Sequence, residues 1–181
     1  MSVETTISTP LPASIQPSVV VALLHNHEIY IRTTCPQLIS YRQISPPSPS
    51  STTLLPSSSS DSSNPNVAPP AVDEPHTFEV TDRRPTGQTT YRLTLTNRAQ
   101  GIDSAVDGKA PTGSIAVRAR WRVSLLGGDG DGDGDGDDAG LLEEHVDIES
   151  NMITRKMVKS NIERSHPAYH RTFLAEAAKA S

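Results

Sequence analysis

The chain has 181 residues, 34% of them hydrophobic and 4% aromatic, with a formal net charge of −5. That length supports one compact core and excludes two, and the low apolar content requires part of the chain to lie outside that core. The acidic balance excludes a general attraction to nucleic acid, and a single cysteine, Cys35, excludes an intrachain disulfide or a cysteine-rich zinc site.

In chain order, residues 2–9 alternate Val3, Thr5 and Ile7 against Glu4, Thr6 and Ser8, the period of a strand. The segment "TPLPAS" is turn material, and a helix starts near Ser14 or Pro17, because Pro suits a first helical turn. That helix runs on to residue 31 with Val20, Leu23, Leu24, His27 and Ile31 on one face; "TTCP" ends it, and Cys35 reads as a half-buried small residue. Residues 37–44 read as a second strand. The longest apolar run, residues 19–24, is too short to span a bilayer, and the first residues lack the regions of a signal peptide. Both point to a soluble cytoplasmic protein with no integral membrane segment.

Residues 45–75 differ in kind. Of these 31 residues 18 are Pro or Ser, which leaves too little apolar surface to offset the entropy of ordering. The segment reads as a disordered insert whose Pro pairs suit a protein partner that reads polyproline.

Strands are expected again at 76–82, at 88–97 with Tyr91, Leu93 and Leu95 on one face, and more weakly at 101–109. Residues 114–125 give the clearest pattern: Ile115, Val117, Ala119, Trp121, Val123 and Leu125 face one way, and Arg118, Arg120 and Arg122 the other. In residues 141–150, Leu142, Glu144, Val146 and Ile148 share a face. Pairing Leu125 with Leu142 sets Trp121 opposite Val146, Ala119 opposite Ile148, Arg120 opposite Asp147 and Arg118 opposite Glu149. Both faces then match at once, and a one-residue slip would oppose apolar groups to charges along the ladder.

The Gly/Asp-rich run in 127–140 becomes the tip of that hairpin. As a calcium loop it fails: the frame from Asp133 puts Asp138 where a turn needs Gly, and the frame from Asp131 ends on Leu142 in place of Glu. The last helix spans 151–178, with Met157 or Val158, Ile162, Ser165, Tyr169, Phe173 and Ala177 in a stripe. Pro167 is expected to kink or break it near residues 164–166.

Strand, helix, further antiparallel strands and a long terminal helix resemble the helix-grip arrangement of START-related lipid-transfer and polyketide-cyclase-like proteins. Three segments are similar to a family of uncharacterised fungal proteins, domain of unknown function 7053: "TTISTPLPASIQPSVVVALLHNHEIYI", "LLEEHVDIESNMI" and "VKSNIERSHPAYHRTFLAEAAKA". Ser165–His166 occupies that family's "AH" position, and Pro167 departs from its pattern. The resemblance implies an α+β fold in one domain over 1–181, a curved antiparallel sheet of about six strands wrapping the C-terminal helix, with one N-terminal helix. It also implies a small apolar or lipid-like ligand in the sheet–helix groove.

Candidate ligand-binding residues are Tyr91, Trp121, Glu144 and Val146 on the sheet and Ile162 and Tyr169 on the helix. Glu144 stands on an apolar face and matches an acidic position of the family, so a raised pKa is expected there. His25 and His27 point to different sides of a helix, and His166 and His170 have ligand spacing interrupted by Pro167, so both pairs read as surface or interfacial. The Arg row reads as one side of cross-strand charge pairs. No partner His, Lys or second carboxylate is expected on the apolar faces beside Glu144, so no catalytic set, metal site or cofactor is assigned. The leading reading is a non-enzymatic binding module; the second is an interaction or scaffold domain acting through its insert and charged segments, and the last a cyclase-like enzyme using Glu144.

Overall fold

The computed structural model describes residues 2–45, 71–85, 87–110, 113–125 and 140–180. Strand β1 (Ser2–Pro10) leads into helices α1 (Pro17–His25) and α2 (His27–Thr34). Strands β2 (Leu38–Ser45), β3 (Pro75–Arg84), β4 (Gly87–Arg98), β5 (Gly101–Ala110), β6 (Gly113–Leu125) and β7 (Gly140–Glu149) follow, and helix α3 (Met152–Ala180) comes last. The seven strands form one curved antiparallel sheet in the order β1-β7-β6-β5-β4-β3-β2. β1 and β2 are neighbours in the chain but occupy opposite edges, so α1 and α2 carry the chain across the sheet. α1 packs on β5 and β6, while α3 lies along β1 and β7. This is the α+β helix-grip architecture expected from the sequence, with seven strands instead of about six.

Four local expectations are corrected. The single N-terminal helix is two, because Asn26 leaves helical geometry and its side chain accepts the N–H of Ile29 at 3.2 Å, capping α2. The β6–β7 register is displaced by two residues: Trp121 pairs with Glu144, Ala119 with Val146, and Arg118 with Asp147. A two-residue shift keeps every side chain on its face, so alternation alone cannot distinguish the two registers. The Arg row instead finds its acids on β5, Arg118 with Asp107 at 3.0 Å and Arg122 with Asp103 at 2.6 Å. α3 is not broken at Pro167 but runs for 29 residues. The missing hydrogen bond costs about 3 kcal/mol, and burial of Ile162 before it and of His170, Phe173 and Leu174 after it holds the helix together.

The expected insert and hairpin tip fall largely on residues 46–70 and 126–139, outside the described residues. The end of the insert is ordered: Val72 bridges to Asn97, the Asp73 N–H donates to Asn97 O at 3.0 Å, and Arg98 pairs with Asp73. No helix among the described residues is long and apolar enough to cross a membrane.

Trp121, Phe173, Leu24, Ile31, Leu95 and Ile102 are fully buried and form the centre of the core. The Trp121 and Phe173 rings lie 5.4 Å apart and those of Trp121 and Tyr30 5.8 Å. Gly101 lets the β4–β5 turn approach β6; at its φ of +155° a Cβ would sit 1.9 Å from the Trp121 carbonyl oxygen.

Candidate functional site

Alternation along β7 turns Leu142, Glu144, Val146 and Ile148 inward, and pairing with β1 and β6 places Glu144 in a row between Ile7 and Trp121. The carboxylate is 1% exposed. An isolated charge there would be prohibitive, and α3 supplies the compensation. Its four-residue step brings His166 and His170 to the same carboxylate. His166 Nδ1 donates to Glu144 Oε2 at 2.8 Å and lies 2.9 Å from Oε1. His170 Nε2 is 3.4 Å from Oε2, within ion-pairing reach but without an aligned hydrogen bond. On its other side, His170 Nδ1 stands 2.9 Å from Thr9 Oγ1, and its ring is 4.6 Å from that of Trp121. Tyr30 closes the cluster; burial, then the charge of Glu144, pushes its phenol above its ordinary value.

Two sequence expectations are overturned here. Burial does push the Glu144 carboxyl up, but the hydrogen bond from His166 and the close approach of His170 outweigh it, and the carboxyl is held below its ordinary value. His166 and His170 are the partners whose absence was expected: His170 is 0% exposed and His166 19%. Their i, i+4 spacing was the available signal. Pro167 between them masks that signal in the sequence, and the continuous helix restores it.

A second polar cluster lies at the far side of the groove. Tyr91 OH donates to Asp82 Oδ2 at 2.9 Å, and the Cys35 thiol, 3.3 Å from the same oxygen of Tyr91, completes the chain as donor. Burial pushes the Cys35 thiol up and keeps it protonated at neutral pH; it also pushes Tyr91 up, with Cys35 and Asp82 adding to it. Tyr169 stands between the clusters. Its phenol is raised first by burial and then by Cys35, Asp82 and Glu144, and its ring is 4.9 Å from that of His166.

The candidate ligand residues therefore divide. Trp121, Val146 and Ile162 belong to the enclosed core, and Glu144 is shielded by its imidazoles. Tyr91 and Tyr169 are half-buried and face the space between sheet and helix. The inner face is closed at the end carrying Ile102, Trp121 and Leu142; toward the other end Tyr91, Val106, Ile115, Val117 and, on α3, Val158 are half-buried, while their cross-strand neighbours Val80, Leu93 and Ile148 stay buried. An open cleft of about 560 Å³ lies at the rim of that end, lined by Asp107, Gly108, Ser114, Ile115, Glu149 and Asn151 among others; of the half-covered apolar residues only Ile115 reaches it. A second cleft of about 360 Å³ lies along the polar outer face, with Thr96, Asp103, Arg118 and Asp147 in its lining. His25 Nε2 is held 3.0 Å from the carbonyls of Arg98 and Gly101, and His27 Nε2 donates to Asn97 Oδ1 at 3.0 Å; both reach the β4–β5 turn, and His27 is buried where a surface or interfacial position was expected. No group of three or more His, Cys, Asp or Glu among the described residues is arranged to hold a metal ion.

Solved structures share the fold at low identity. A conserved protein from Geobacillus kaustophilus aligns with a TM-score of 0.59 at 10% identity, covering 98% of this chain and 97% of that one. Ara h 8.0201 aligns at 0.55 and 6%, covering 99% of each chain. The Zhui aromatase/cyclase from Streptomyces sp. R1128 aligns at 0.54 and 14%, covering 98% and 93%. A search of curated protein sequences returned no significant match. Residues 2–179 match the family model of the domain of unknown function DUF7053, and the chain belongs to that family.

Proposed function

We propose that this DUF7053 protein is a non-enzymatic binding module for a small amphipathic ligand held in the half-open groove between the sheet and α3. The observation that carries the reading is a set of inward apolar side chains left half-covered at one end of the face, Tyr91, Val106, Ile115, Val117 and Val158, beside neighbours that are buried. Half-covered apolar side chains beside a cleft are what an apolar ligand would cover, and each 100 Å² taken from water contributes about 2.5 kcal/mol. The polar end of the ligand meets Tyr169 and the outward edge of His166, while Glu144 acts only through His166 because it is enclosed by its own partners. That enclosure supports binding over catalysis, since a general acid or base must reach the reacting atoms. The likeness to an aromatase/cyclase and to Ara h 8.0201 supports the fold in which such a groove occurs.

The test is titration with the neutral fluorescent probe N-phenyl-1-naphthylamine. Saturable enhancement is expected in the native protein, and Val106→Trp, which fills the groove, weakens it about tenfold, the equivalent of about 1.4 kcal/mol. Absence of saturable enhancement, or unchanged binding by a folded Val106→Trp variant, refutes the reading.

A further inference from the structure

We infer that the groove selects a ligand whose polar head donates a hydrogen bond, a primary amine before a hydroxyl, and that Asp82 is the residue that receives it. The inference rests on the binding reading above and names the chemical class of its ligand. Asp82 sits on the inner face of β3 in the cluster with Tyr91 and Cys35, and its side chain is 9% exposed. Oδ2 accepts the Tyr91 hydroxyl; Oδ1 is buried and accepts no hydrogen bond from the described residues. A buried carboxylate oxygen without a donor is costly, and an incoming N–H or O–H relieves that cost.

The surrounding charges favour the same class. Tyr169 feels the carboxylates of both Asp82 and Glu144, so the polar end of the groove lies between two acids. Glu144 is compensated by His166 at 2.8 Å. For Asp82 the nearby cation is Arg84, 3.8 Å from Oδ2 and half exposed, a distance and exposure at which pairing is weak. Among the described residues the closer side-chain hydrogen bonds of the Asp82–Tyr91–Cys35 chain come from neutral donors, and Cys35 is held protonated. A free carboxylate head would bring a third negative charge to this position. An ammonium or hydroxyl head would meet a free acceptor.

Competition for bound N-phenyl-1-naphthylamine among decylamine, decanol and decanoate, matched in chain length, tests the assignment. At pH 7.5 decylamine is expected to displace the probe at a concentration about tenfold below decanoate, with decanol between them. Asp82→Asn brings the three within about threefold of one another. Arg84→Met, at a half-exposed position, widens the preference for amine over carboxylate and keeps the test decisive should Asp82→Asn fail to fold. Decanoate displacing the probe as well as decylamine from the native protein overturns the assignment, as does an unchanged ranking in a folded Asp82→Asn variant or an unchanged or narrowed preference in Arg84→Met. Those results leave the binding reading standing; a protein that binds no probe at all overturns both.

Discussion

Glu144→Gln isolates the buried charge cluster, because it removes one charge and almost no volume. In the native protein the carboxylate is 1% exposed, takes a 2.8 Å hydrogen bond from His166, and lies 3.4 Å from His170. The neutral amide loses the charge-assisted part of that bond, about 1.5–3 kcal/mol, and leaves two imidazoles without their carboxylate, which brings the cost to about 3 kcal/mol. Urea unfolding at pH 7 would then show the midpoint falling by about 1–2 M for an ordinary m-value. The sign of the pH dependence adds a second readout. The folded-state pKa of Glu144 lies below its ordinary value of 4.5, so the folded protein binds fewer protons at this site than the unfolded chain between those two values. The stabilisation is therefore fully present above the unfolded value and is lost as the pH falls through the folded one. The gap between native protein and Glu144→Gln is widest near neutrality and closes in acid. A gap that stays constant from pH 7 to pH 3, or a variant as stable as the native protein at pH 7, refutes the reasoning.

Gly101→Ala is expected to destabilise the protein by more than about 2 kcal/mol, because the added Cβ would overlap the Trp121 carbonyl oxygen at 1.9 Å and the φ of +155° suits glycine alone. A thermal melt within a degree or two of the native protein would contradict the close approach of β5 to β6. His27 is held below its ordinary value of 6.5 by burial, which outweighs the opposing bond to Asn97 and is reinforced by His76 and His25. Stability should then fall as the pH drops from 6.5 toward the lowered folded value. Calorimetry between pH 7.5 and 5 should show this slope reduced in His27→Gln, and an equal slope in both would refute it.

Much of the fold was legible because it rests on local periodicity. Alternation in "SIAVRARWRVSL" and "LLEEHVDIES" assigned both strands and the face of every residue in them. Register was not legible, since it is set by β1 and β5 on the outer sides of that pair, through contacts such as Leu11 N–H to Gly140 O at 2.7 Å and Arg122 to Asp103. Asp103 and Asp107 lie in the strand whose own pattern was weakest. Glu144 stood out as an acid on an apolar face, but its partners are 22 and 26 residues away on a helix that local rules would break at Pro167. Packing on both sides of that proline decides its conformation, and single-residue propensity does not contain such information. The Cys35–Tyr91–Asp82 chain joins a loop after α2 to two strands and left no sequence signature beyond the inward phase of Tyr91.

The central claim is that the half-covered end of the inner face is a ligand site, and methyl and amide NMR of the labelled protein titrated with decanol tests it most directly. Shifts centred on Tyr91, Val106, Ile115, Val117, Val158 and Tyr169 and reaching Asp82 and His166, saturating with ligand, are the expected result. Shifts centred on Thr96, Asp103, Arg118 and Asp147 of the outer face, or none that saturate, would contradict it.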